Sequence, residues 1–358
     1  MYYDCTTETG IGKTCYAESK NGISWNKVNM GLFPINNWNN NIVVVGTGSL
    51  NFTPFIDTHS DTHSKERYKA IGGYGTLYTF SSPDGIHWKI QHKFKVKGAD
   101  GDTQNVVFWD STNNTYAAYI RSYSRNRRSV VRVTSPDFIH WSEPKPLRFT
   151  ERFYDELYTP GISRYYRSTD LFLGFPTRFT PKRGPTYVSG QQGVTDGVFM
   201  TSRDGILWNR FKQGWIRPGL DPINWNHGST TVSPSLIQTS ATEMSLYYVQ
   251  KMRTSMNQLR RATLRIDGFV SLKALEGEFT TKPLLIGKNL YLNYSTSAAG
   301  SVRVMVLDEQ GKPIPGYGCE LYGDAIEAFC SNLQPLQGKK ARLQFTLKDA
   351  DLYSLRFQ

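Results

Sequence analysis

The chain has 358 residues, with 42 Lys and Arg against 30 Asp and Glu, a formal net charge of +12. Hydrophobic residues make up 39% and charged residues 20%, which supplies a sizeable core and excludes a disordered chain. Eight Trp, 21 Tyr, 19 Phe and 31 Gly, with few long Leu/Ala/Glu/Lys stretches, exclude an all-helical protein and point to strands joined by tight turns.

At the N-terminus, Met1-Tyr2-Tyr3-Asp4-Cys5 carries no basic segment and no apolar segment, so no signal peptide is visible and localisation stays open. The longest aliphatic run, Ile42–Val45, is far too short for a membrane-spanning helix, so no membrane partner is expected. The four cysteines form two close pairs, Cys5/Cys15 and Cys319/Cys330, without metal-ligand spacing. No metal is therefore expected, and two disulfides or four buried thiols both fit.

A turn then recurs along the chain. Ser19-Lys20-Asn21-Gly22-Ile23-Ser24-Trp25 returns as Ser82-Pro83-Asp84-Gly85-Ile86-His87-Trp88, as Ser135-Pro136-Asp137-Phe138-Ile139-His140-Trp141 and as Ser202-Arg203-Asp204-Gly205-Ile206-Leu207-Trp208. A degenerate fifth copy spans 265–271. Successive copies lie about 60 residues apart, which marks a repeat architecture. Asp or Asn followed by Gly suits a turn with positive φ, and the Trp can pack over it. These residues, His87 and His140 included, are therefore expected to be scaffold.

Each repeat reads as four short antiparallel strands. In the third, Asn105–Asp110, Tyr116–Arg121 and Ser129–Ser135 precede the turn. Such units stacked radially predict an all-β fold, a five-bladed β-propeller over 1–283. Units two to five are expected to begin near Asn41, Gln104, Gly161 and Thr231, and the first lacks an innermost strand. Beyond Pro283 the repeat stops, and alternating segments such as Ser301–Leu307 and Lys340–Leu347 predict a β-sandwich over 284–358.

In a propeller the innermost strands start around one axial funnel, so a site is sought at strand starts. Asp102 and Gln104 open the third unit; Asp155 and Glu156 open the fourth. At the funnel the second unit opens with Asn51-Phe52-Thr53-Pro54-Phe55, uncharged and suited to lining a pocket, and the fifth contributes the Trp225-Asn226-His227 segment, with His227 a candidate. Arg178 and Asp196, near strand ends of the fourth unit, are substrate-binding candidates. Neighbours in a strand face opposite sides, so only one of Asp155 and Glu156 can enter the funnel. Carboxylates within an aromatic rim suit sugar recognition and acetal cleavage, in which one acid protonates the leaving oxygen opposite a second carboxylate.

Arg121, Arg125, Arg127, Arg128 and Arg132 form the densest basic cluster. A sulfated or uronic glycan, nucleic acid or a solvated surface each fit. No nucleic-acid-binding motif accompanies the cluster, so nucleic acid is not expected. If the cluster serves function, all of Arg121–Arg132 is expected to face the funnel mouth or a groove leading to it, with Arg125 and Arg127 as substrate-binding candidates. No nucleotide or phosphate-loop fingerprint occurs, and no cofactor is expected. Oligomeric state is not readable from the chain.

The blade count, the Ser-x-Asp-Gly-Ile-x-Trp turns and the terminal sandwich resemble five-bladed glycoside hydrolases of the invertase/levanase type, family 32 with relatives in families 43 and 68. The segments Asp196–Ser202 and Leu292–Gly300 are similar to an uncharacterised bacterial set of such proteins. The resemblance implies hydrolysis of a polysaccharide or oligosaccharide, with Asp102 as transition-state stabiliser and Glu156, beside Asp155, as acid. The Asp that the family carries on blade one has no match here, which keeps a non-catalytic glycan-binding propeller as the alternative.

Overall fold

The computed structural model describes residues 1–6, 12–34, 40–59, 64–152, 154–183 and 192–358, and the chain is all-β. It divides into one unit of Met1–Leu236 with Leu246–Ala262 and a second of Ile237–Ser245 with Thr263–Gln358.

In the first unit the strands form successive antiparallel sheets. The first holds β1 (Tyr2–Thr6), β2 (Gly12–Tyr16) and β3 (Ile42–Val45) in that order. The second holds β4 (Thr53–Ile56), β5 (Tyr68–Tyr74), β6 (Thr76–Ser82) and β7 (Lys89–Phe94). The third holds β8 (Val106–Asp110), β9 (Thr115–Ser124), β10 (Arg127–Ser135) and β11 (Lys145–Pro146). One expectation is corrected here: β3 does not open the second repeat but pairs with β2 at the edge of the first sheet. The second sheet opens twelve residues beyond Asn41, at Thr53.

The fourth repeat has long strands broken midway. β12 (Arg148–Phe149) pairs in parallel with β19 (Leu207–Arg210), in a sheet with β14 (Ile162–Arg164), β15 (Phe172–Gly174) and β18 (Met200–Ser202). β13 (Glu156–Thr159), β16 (Thr177–Thr180) and β17 (Val194–Gly197) form a separate three-stranded sheet. Gly161, expected to start this repeat, instead sits in the break after β13. There it adopts φ +54°, and a Cβ would meet the Phe175 carbonyl oxygen at 2.4 Å.

β20 (Thr231–Gln238), β21 (Glu243–Gln250) and β22 (Gln258–Arg265) form the next sheet. The remaining strands are β23 (Leu272–Thr280), β24 (Leu284–Leu285), β25 (Asn289–Leu307), β26 (Pro313–Leu321), β27 (Asp324–Asn332) and β28 (Lys340–Phe357). β28 lies between β23 and β25, and its alternation buries Ala341, Leu343, Phe345 and Leu347 in one core with Val302, Val304 and Val306. Because β23 pairs along β28, the second unit takes in strand residues before position 283.

Period-two alternation in the third sheet feeds two cores. Val107, Tyr116, Ala118 and Ile120 pack with Ile71 and Leu77 of the second sheet. Val106, Ala117 and Tyr119 pack with Leu157, Phe172, Met200 and Trp208 of the fourth repeat. Each fully buried Leu- or Phe-sized side chain here contributes about 1.5–3 kcal/mol.

The recurring turns lock these sheets together. In the fourth copy the Ser202 hydroxyl accepts the Gly205 N–H at 2.9 Å, and Asp204 Oδ1 accepts Ile206 and Leu207 N–H at 2.8 and 2.7 Å. Trp208 Nε1 donates to the Gly205 carbonyl at 3.2 Å, and Tyr119 of the third sheet donates to the same oxygen at 3.0 Å. Tyr2 likewise reaches Gly85 O at 2.7 Å, and Tyr247 of the β20–β22 sheet reaches Gly22 O at 2.7 Å. The third copy has Phe138 at the glycine position, at φ 67°. There Tyr116 packs on the Phe138 ring at 4.9 Å, and Lys69, 2.8 Å from Asp57, lies 5.5 Å from the Phe138 ring centroid.

Desolvation pushes the Asp204 carboxyl upward, yet the Ile206 and Leu207 N–H groups and the Ser202 hydroxyl hold it below the usual carboxylate range. Asp204→Ala strips two backbone N–H groups of their acceptor and is expected to cost about 1–2 kcal/mol. Urea unfolding at neutral pH measures this; an unchanged midpoint would remove the locking role.

Both cysteine pairs are joined, Cys5 to Cys15 between β1 and β2 and Cys319 to Cys330 between β26 and β27. The alternatives left open by spacing alone are thereby resolved.

Candidate functional site

Asp102 precedes β8 on a loop held by Asn105. The buried Asn105 amide donates to the Gly101 and Thr103 carbonyls at 2.8 and 3.0 Å and accepts the Arg121 N–H at 2.9 Å. This brings Arg121 against two carboxylates, Asp100 at 3.0 Å and Asp102 at 3.2 Å. The Asp102 side chain is half exposed (51%), whereas that of Arg121 is buried (3%). Arg121 also donates to the Tyr123 hydroxyl at 3.2 Å and lies 5.4 Å from the centroid of the Tyr158 ring. Gln104, two residues beyond Asp102, is half-buried.

Glu156 opens β13 and accepts from both the side chain and the backbone of Arg128, at 2.9 and 3.2 Å. The Arg128 guanidinium lies over Phe179 at 4.3 Å and Tyr158 at 5.2 Å. Tyr158 is therefore a common centre. Arg121 with Asp102 approaches it from β9, and Arg128 with Glu156 from β10 and β13. The His227 ring reaches it at 5.3 Å.

Asp155 belongs to another cluster. It accepts from Arg178 at 3.3 Å and from Arg210, while Arg178 also pairs with Asp196, Nε to Oδ1 at 2.8 Å. Arg178 and Asp196 face each other across β16 and β17. Of the two adjacent acids, Glu156 thus shares surroundings with Asp102 through Tyr158, and Asp155 does not.

The arginine cluster differs from its expected form. Arg121 and Arg128 are committed to the carboxylates just named, and Arg132 to the buried Asp110 at 3.2 Å. Arg125 and Arg127 remain exposed at the β9–β10 hairpin, with Arg127 donating to the Tyr154 carbonyl at 2.9 Å. Strand alternation sends the inward arginines to internal acids and leaves only the hairpin tip to solvent. Asn51, at φ 55°, stands before β4, and its amide lies 3.4 Å from the Gly73 carbonyl.

Tyr158, Phe179 and Arg210 were not singled out from sequence. Tyr158 had a readable signal, since it shares a strand face with Glu156 two residues earlier. The others are brought in by non-local pairing. Among the described residues no group of three or more His, Cys, Asp or Glu gathers as a metal site.

His227 is buried and packs on Phe179 at 4.9 Å. Desolvation, reinforced by the charges of Arg253 and Arg128, lowers its pKa to about 4. The folded value lies below the ordinary 6.5, so the unfolded chain binds more protons between those limits. The stabilisation is therefore complete above about pH 6.5 and is lost as pH falls toward 4, by about 3 kcal/mol in total. His227→Phe is expected to flatten this part of the stability–pH profile. A slope unchanged by the substitution would show that other groups carry it.

No protein-family model and no curated protein matches the chain. Several solved structures do. A glycoside hydrolase is 14% identical at TM-score 0.47, over 70% of this chain and 78% of its own. An α-L-arabinofuranosidase from Fusarium graminearum, in complex with an iminosugar inhibitor, is 10% identical at TM-score 0.42, over 74% and 92%. A β-1,2-mannobiose phosphorylase from Listeria innocua, in complex with β-1,2-mannobiose, is 13% identical at TM-score 0.46, over 73% and 69%.

Proposed function

We propose that the first unit is a β-propeller that binds a glycan at the Tyr158 cluster and hydrolyses it. The observation that carries this reading is the meeting of Asp102 and Glu156, from different sheets, through Arg121 and Arg128 around one tyrosine ring. Tyr158 and Phe179 supply faces for sugar C–H surfaces, and the arginines and acids supply hydroxyl partners. Glu156 protonates the leaving oxygen as the glycosidic bond breaks, and Asp102 stabilises the positive charge that develops on the sugar ring. Water then adds at the anomeric carbon, its proton returning to the Glu156 carboxylate. The exposed Arg125 and Arg127 favour a sulfated or uronic glycan, whose anionic groups match guanidinium hydrogen bonding.

A second reading, glycan binding without cleavage, is favoured by one specific observation. Asp102, Asp155 and Glu156 are each engaged by an arginine. One screen separates the readings: neutral, sulfated and uronic glycans tested for new reducing ends and for binding, at low and high salt. New reducing ends support the hydrolase, whereas binding alone supports the second reading. Attraction between exposed charges is screened over about 8–10 Å at moderate ionic strength. Binding of anionic polymers that ignores salt would remove the role given to Arg125 and Arg127.

A further inference from the structure

We infer that a second sugar-binding position lies in a cleft of about 340 Å³ between the β3–β4 connection and the β5–β6 hairpin, and that it holds an uncharged residue of the same glycan chain. The inference rests on the glycan-active reading above and extends it: the ligand is an oligosaccharide segment, not a single sugar.

The cleft's volume falls in the range of small-molecule sites. Among the described residues, those that line it carry no charged side chain, in contrast to the arginine-rich cluster, so none of them rewards an anionic group. Gly46, Gly48 and Gly73 give it bare backbone, at φ +75°, +81° and +118°. A Cβ would come within 2.7 Å of Phe80 at Gly48 and within 2.4 Å of the Thr76 carbonyl at Gly73. Only glycine fits both positions, and it lets a ligand approach the main chain closely.

Tyr74 and Tyr78 supply aromatic faces, and Thr76 a hydroxyl. Tyr74 is 61% exposed, although it closes a strand that is otherwise largely buried. Aromatic faces with scattered hydroxyls match a neutral sugar, which presents C–H patches between hydroxyl groups. The hairpin that borders the cleft is also tied to the site through the main chain. The Gly75 N–H, at the same hairpin tip, donates to the Asp100 carbonyl at 2.7 Å. The Asp100 carboxylate then pairs with Arg121.

The test uses the full chain and linear manno-, galacto-, arabino- and xylo-oligosaccharides of one to six residues, with calorimetric binding and reducing-end release measured in parallel. At least one series is expected to bind more tightly as it lengthens. Tyr74→Ala is expected to weaken its longer members by about tenfold and leave the single sugar unchanged. Tyr74→Phe, which keeps the ring, is expected to retain the affinity. Length-independent binding, binding indifferent to Tyr74→Ala, or no binding by any neutral series overturns the inference. Length- and Tyr74-dependent binding without reducing-end release would keep the cleft and remove the hydrolase. Release unaffected by Tyr74→Ala at every length would remove the cleft and keep the hydrolase.

Discussion

Glu156→Gln is expected to lower reducing-end release by at least about 100-fold, the lower end of what a positioned acid contributes. Gln keeps the size of Glu and an acceptor for the Arg128 N–H groups, but it cannot deliver a proton. Glycan binding should persist, since Tyr158, Phe179 and the arginines are untouched. Asp102→Asn should also cut turnover, by removing the negative charge opposite the oxocarbenium-like centre. Its half-exposed side chain makes a fold defect small in that variant. Asp155→Asn serves as the contrast, because Asp155 lies in the Arg178–Arg210 cluster. Turnover lost in Asp155→Asn but kept in Glu156→Gln would transfer the acid to the neighbouring residue. Full turnover in all three variants would place the chemistry elsewhere.

The largest stability loss is expected at Asp110. Its fully buried carboxylate accepts from Arg132 at 3.2 Å, from Asn113 at 2.8 Å and from Arg164. The Arg132 and Arg164 side chains are only 10% and 13% exposed, so Asp110→Ala leaves two guanidiniums with little access to water. Breaking a buried ionic group in this way costs about 3–5 kcal/mol. The Lys212–Glu151 pair forms the comparison, with side chains 74% and 66% exposed, and Glu151→Gln should change stability by less than about 1 kcal/mol. Urea unfolding measures both. A loss at Asp110 no larger than at Glu151 would show that water reaches the Asp110 site. Arg164 follows the break after β13, so Asp110 ties the third sheet to the fourth repeat across 54 residues of sequence.

The turns were legible in the sequence because their chemistry is local. A serine hydroxyl three residues before a glycine N–H, and a carboxylate two and three residues before further N–H groups, find their partners within one heptapeptide. The strands of the third repeat were legible for the same reason, since apolar alternation and turn residues act over a few positions. Asp102 and Glu156 could be selected because they stand at strand starts, where a repeat gathers distant polar groups.

Other features required the tertiary structure. The aliphatic run 42–45 reads equally well as the first strand of one sheet or the last of another, and its pairing with β2 is a long-range choice. The five arginines look alike in sequence, yet alternation and the position of Asp100, Asp110 and Glu156 commit three of them to internal pairs. The strand at Leu272–Thr280 continues the spacing of the repeats but finds its hydrogen-bond partners in β28, some 70 residues on. The sequence by itself determined where the chain turns and which face of each strand is apolar, because those depend on nearest neighbours. Strand partners and the carboxylate that each guanidinium meets depend on which distant segments pack together, and only the folded chain decides them.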